Sequence, residues 1–180
     1  VPKLQKARND AAAVSEALKS LGVSVTTLLG ADRRSFNQGI SGFTSAIEPG
    51  GEAIFYYAGH GIEVAGRNYL LPADVPPASP GDEEFVVGES IAVDRVLQAM
   101  QGRGARVSLL VLDACRDNPF PASGTRSLGA SRGLARVDPP EGAFILFSAG
   151  TGQTALDRLS AADTNPNSVF TRAFLSRLFQ

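Results

Sequence analysis

In 180 residues the chain has one cysteine, one histidine, one methionine and no tryptophan. A single cysteine excludes an internal disulfide framework, and one cysteine with one histidine leaves a protein-only zinc site short of ligands. Neither sign of charge is in excess. The 14 Arg and 3 Lys stand against 18 acids for a net charge of −1, and the basic residues are scattered instead of forming a stripe. The electrostatic footprint of a nucleic-acid binder is therefore missing. No apolar run approaches the ~18 residues of a membrane span, and the first residues lack the charged, apolar, small-residue order of a signal peptide. Neither a nucleic-acid nor a membrane partner is therefore expected. The compartment, cytoplasmic or periplasmic, and the oligomeric state are not legible.

What is present is ordinary globular material, 43% apolar and 19% charged, enough for one domain over residues 1–180 with a sizeable core. Behind Asn9 or Asp10 as a cap, Ala11, Val14, Ala17, Leu18 and Leu21 recur at helical spacing, and Gly22 ends the pattern. Residues 23–29 read as a strand. Phe36, Ile40, Phe43 and Ile47 mark a second helix, stopped by Pro49-Gly50-Gly51. Apolar strands follow at 53–58, 69–71, 107–112 and 143–149. The proline-rich stretch 72–88 reads as a loop, Ser90 as the cap of a helix carrying Ile91, Val96, Leu97 and Met100, and Ser168 as the start of a last helix. Strands alternating with helices predict a three-layer α/β/α domain with a mainly parallel sheet.

The only histidine and the only cysteine each stand just past an apolar run, in Tyr57-Ala58-Gly59-His60-Gly61 and Asp113-Ala114-Cys115-Arg116, 55 residues apart. In open α/β sheets reactive groups collect at the carboxyl ends of strands, so both side chains are expected on one rim. A lone thiol at a strand end is by itself more often buried core, and a lone histidine structural. The coincidence of both at equivalent strand exits favours a catalytic pair: Cys115 as thiolate nucleophile and His60 as proton shuttle.

These motifs, with Asn9-Asp10, Gln153-Thr154-Ala155-Leu156-Asp157 and Asn167-Ser168-Val169-Phe170, give the chain a resemblance to the caspase-like cysteine peptidases of clan CD, peptidase family C14, in their bacterial metacaspase or orthocaspase branch. The resemblance implies a six-stranded sheet whose first central strand would precede the segment at residues 1–7 and is missing here. It implies a large-subunit-like part at 1–116, a mobile processing loop at 117–142 and a truncated small-subunit-like part at 143–180. It implies protein or peptide substrates, and it assigns the oxyanion hole to the backbone N–H groups of Gly61 and Cys115, and a substrate pocket for arginine, less well lysine, to Asp10, Asp113 and Asp157. Carboxylates suit a guanidinium because they accept charge-assisted, bidentate hydrogen bonds. Helix capping is the competing reading of Asp10, and a solvated loop acid that of Asp113 and Asp157. Within the loop, Arg126, Arg132 and Arg136 are candidate sites of self-cleavage.

No cofactor or metal is expected. Calcium, bound in some relatives, has Asp74, Asp82, Glu83, Glu84 and Glu89 available here, but Gly88-Glu89 stands where those relatives have paired aspartates, and it is not favoured. Two other readings compete. One is a catalytically inactive caspase-like scaffold or interaction domain. The other is dinucleotide binding by Gly150-Thr151-Gly152-Gln153-Thr154-Ala155, which has no room for the βαβ unit that should follow.

Overall fold

The computed structural model describes residues 4, 6–77, 79, 81–115, 134–135, 137–149, 156, 158–160 and 162–179, with Cys115 described through its backbone. The two apolar runs form the centre of the sheet. β1 (Glu52–Val64) pairs in parallel with β4 (Val107–Cys115), and β4 pairs in parallel with β5 (Ala143–Phe147). On the other side β1 turns into a hairpin with β2 (Arg67–Leu70), which pairs antiparallel with the short β3 (Ile91–Ala92), giving the order β3-β2-β1-β4-β5. The sheet is parallel at its centre and antiparallel at one edge. It has five strands among the described residues, where the resemblance implies six.

Helices cover both faces. α2 (Arg33–Ser45) is capped by Asp32, whose carboxylate accepts the Ser35 N–H at 2.6 Å, and it buries Phe36 against the rings of Phe55 and Tyr57. α4 (Val93–Gly102) lies on the same face, where Val96, Leu97 and Met100 pack with Leu110 and Leu112 of β4. On the opposite face lie α1 (Ala7–Ser20) and α5 (Val169–Leu178), the latter stacking Phe174 on Tyr56 of β1. The α/β/α layering follows from strands apolar on both faces, which must be covered twice.

Several elements differ from the sequence reading. α1 starts at Ala7, so neither Asn9 nor Asp10 is its cap; Lys6 holds that position and provides no side-chain cap bond. The stretch 72–88, read as loop, contains the start of a helix, α3 (Glu83–Glu89), because Val86 there finds a buried place against Ile62 and Tyr69. Ser90 opens no helix, since Ile91 and Ala92 first join β2 and α4 begins after them. Residues 23–29 form no strand despite their β-rich composition.

The reason for the last lies in the tertiary structure. Residues 24–30 make no backbone–backbone hydrogen bond to another described residue, and the edge of β1 turned away from β4 has no strand partner among the described residues before the hairpin with β2 begins. Between the two lies a cavity of about 520 Å³, walled by α1, α2, residues 25–31 and β1 from Ile54 to His60. Strand structure needs a ladder on at least one side, and here the cavity stands between the would-be partners.

Candidate active site

His60 and Cys115 are Cα partners at the end of the β1–β4 ladder. β1 does not stop there. It runs four residues further because it changes partner: through His60 it pairs with β4, and from Gly61 it pairs with β2. The histidine thus sits inside a strand at the point of exchange, where the sequence reading placed it just beyond one. Cys115 is the last residue of β4, as expected for a strand exit.

The exchange is pinned at the His60 carbonyl, which accepts the Leu71 N–H at 3.0 Å and the Tyr57 hydroxyl at 2.8 Å. The same hydroxyl is 3.0 Å from the Leu71 carbonyl. To reach them the Tyr57 ring folds back beneath Gly59, where a Cβ would collide with its Oη and Cζ. Because Leu71 N–H bonds to His60 O, the pair Gly61↔Leu70 is a non-hydrogen-bonded one, and the Gly61 N–H is turned away from β2 toward the end of β4. Gly61 itself is closely packed: a Cβ there would lie 3.0 Å from Leu134 Cδ2 and 3.2 Å from Ala114 Cβ. Leu134 is only 2% exposed, and the neighbouring Ala135 backbone is held at both N–H and C=O by the Asn68 amide.

Two of the three expected pocket acids come together. Asp113, two residues before Cys115 in β4, is 7% exposed, and Asp10, from the first turn of α1, is 2% exposed. The carboxylate of Asp10 accepts at Oδ1 from the Asn167 side-chain amide and the Ser168 N–H, both at 2.9 Å. That of Asp113 accepts at Oδ2 from the hydroxyls of Ser168 (2.5 Å) and Thr171 (2.9 Å). Neither alternative reading holds: Asp10 caps no helix and Asp113 is no solvated loop acid. Behind them the Tyr56 hydroxyl is 2.6 Å from Thr171 Oγ1, and burial pushes its phenol far above the usual tyrosine range, helped by the charges of Asp113 and Asp10. Lys6, also buried, reaches the Asn167 carbonyl at 3.3 Å.

Asp157, Arg126, Arg132 and Arg136 lie outside the described residues, as does most of the 117–142 loop and the Gly150–Ala155 motif. Of the calcium candidates, Asp74 accepts the Arg33 N–H, Glu89 pairs with the Arg33 guanidinium, and Asp82 accepts the Ser79 N–H. Among the described residues no three His, Cys, Asp or Glu side chains gather as a metal site would require, and no helix is long and apolar enough to cross a membrane.

The sequence reading missed Thr171 and Tyr56, and it saw Ser168 as a helix start and as part of the Asn167–Phe170 motif, with no tie to the acids. The available signal was the spacing of two hydroxyls, at the cap and three residues on, which share one side of the first turn.

Comparison with known proteins gives a consistent picture. The family model described as the caspase domain, peptidase C14, matches residues 1–180. The human mucosa-associated lymphoid tissue lymphoma translocation protein 1 is 28% identical over 115 residues, which is 64% of this chain and 13% of the relative. Its mouse homolog matches at the same 28% identity over the same shares. The chain therefore corresponds to a small part of those proteins' length.

Proposed function

This chain belongs to the caspase-domain family of peptidases, and on that premise we propose that it is a cysteine endopeptidase cleaving after basic residues, arginine ahead of lysine, through Cys115 and His60. Family membership supports the cysteine-peptidase chemistry; the dyad, the pocket and the specificity are our reading. The observation that carries it is the register His60↔Cys115, since paired positions on neighbouring strands share a face and are about 5 Å apart.

In the proposed reaction the Cys115 thiolate attacks the scissile carbonyl carbon, forming a C–S bond and placing the negative charge on the carbonyl oxygen. Backbone N–H groups of Gly61 and Cys115 receive that oxyanion; the direction of the Gly61 N–H supports its part. His60 gives its proton to the leaving amine as the C–N bond breaks. It then takes a proton from water, whose oxygen attacks the thioester, and the product acid departs with the thiolate restored. No cofactor enters. The buried pair Asp10 and Asp113, with Asp157 as a third candidate, supplies the negative charge that selects a guanidinium over an acidic side chain. The loop arginines Arg126, Arg132 and Arg136 are then natural self-cleavage sites.

A positional peptide library assayed on wild type, Cys115→Ala and His60→Ala tests the reading, with N-terminal sequencing of the incubated proteins as a second readout. We expect cleavage after Arg above Lys in wild type and new N-termini within residues 117–142. Cys115→Ala should fall to background and His60→Ala should lose about 10²- to 10⁴-fold, the usual worth of a general acid–base. Peptide cleavage that survives Cys115→Ala would remove the dyad from consideration.

A further inference from the structure

The first turn of α5 touches both buried acids at once. Ser168 donates its backbone N–H to Asp10 Oδ1 and its hydroxyl to Asp113 Oδ2, while the same Oγ accepts the Thr171 N–H at 3.0 Å and so caps the helix. Thr171, fully buried, donates a second hydroxyl to Asp113 Oδ2. A carboxylate only accepts, so each of these hydroxyls spends its single proton on Asp113. The Tyr56 hydroxyl, 2.6 Å from Thr171 Oγ1, must then be the donor in that contact. The protons line up in one direction, from Tyr56 to Thr171 to Asp113.

We infer that Ser168 and Thr171 are positioning residues for recognition of a basic side chain, holding Asp10 of α1 and Asp113 of β4 as one site for a guanidinium or alkylammonium group. This rests on the peptidase reading above. Two buried carboxylates repel each other and lose hydration, so their approach needs donors. Asn167, Ser168 and Thr171 supply four neutral donor groups to the two acids. The bonds converge on one oxygen of each acid, Oδ1 of Asp10 and Oδ2 of Asp113, which sets the rotation of each carboxyl. Tyr56 remains a protonated donor at any ordinary pH because burial pushes its phenol upward. Capping of α5 and assembly of the acidic pair share one atom, Ser168 Oγ, so docking of this helix and formation of the site are one event.

The test uses the full chain with Ser168→Ala, the near-isosteric Thr171→Val, and the conservative Ser168→Thr. Peptidyl-arginine, -lysine and -citrulline substrates give KM and kcat; benzamidine binding to each variant in a Cys115→Ala background reads the site without turnover. Alkylation of Cys115 by iodoacetamide reads the thiol without the pocket. Ser168→Ala and Thr171→Val should raise KM for arginine about tenfold and weaken benzamidine in step, with kcat within threefold, alkylation unchanged, and Ser168→Thr restoring affinity. Unaltered KM and benzamidine affinity in both variants overturn the inference and leave the peptidase reading standing. Alkylation lost in proportion to affinity also overturns it, since that marks a general structural role. A wild type that cleaves arginine no better than citrulline overturns the specificity reading and this inference together.

Discussion

Gly59 has no room for a side chain, and the reason is a neighbour's ring. Tyr57 lies two residues away on the same strand, points to the same face and folds beneath it to hold the His60 carbonyl. Overpacking of this kind costs about 1–3 kcal/mol, and here the strain falls on the bond that positions the histidine. Gly59→Ala should therefore lower the denaturation midpoint and reduce peptidase activity together. Because Tyr57 Cζ is as badly placed as its hydroxyl, adding Tyr57→Phe should not rescue the variant. Thermal denaturation and activity of the single and double variants check this; a stable, active Gly59→Ala would show that the ring moves aside freely. A glycine on each side of His60 is visible in the sequence, but the atom that requires Gly59 is not. Tyr57 reads along the strand as one more apolar residue.

At the scale of elements, α5 is anchored at its start by more than Ser168. Asp163 receives the Arg172 guanidinium with both oxygens, at 3.1 and 2.6 Å, and accepts the N–H groups of Leu159 and Asn165. The guanidinium first, then the two backbone donors, hold its carboxyl well below the usual carboxylate range. A group whose folded pKa is depressed contributes stability that is complete above its unfolded value, about 4, and is lost as pH falls toward the folded value. Wild type should thus lose stability progressively below about pH 4, and Asp163→Asn should start lower at pH 7 and lose less over the same window. Urea midpoints across that range decide it; parallel curves for the two proteins would sink the idea. Residues 23–29 carry the opposite lesson about elements. Their composition favours a strand, yet Val23 to Leu29 stay irregular because a strand is a pairing and they have no strand partner among the described residues.

For the molecule as a whole, the cavity beside β1 is the feature with the widest consequence. In the β1–β4 ladder the direction of the Gly61 N–H puts those of Phe55 and Tyr57 toward β4, leaving Ile54, Tyr56 and Ala58 facing the cavity. Native-state hydrogen exchange should separate the two sets, with Ile54, Tyr56 and Ala58 exchanging at least tenfold faster than Phe55 and Tyr57. Equal protection would mean that the cavity-facing edge is covered in solution.

The core strands, the α/β layering, the two helices over residues 7–20 and 33–45, and the candidate pair His60 and Cys115 could all be read from local pattern, because apolar periodicity and strand exits are properties of short stretches. Contacts between distant stretches could not. That β1 exchanges β4 for β2 at His60, that Tyr57 holds the point of exchange, and that Ser168 joins Asp10 to Asp113 across 158 and 55 residues of chain emerge only in the folded molecule. Side-chain chemistry written in order along a chain says which groups exist. Which of them meet is settled by strand order and helix docking, where the free energy belongs to pairs of elements and to neither alone.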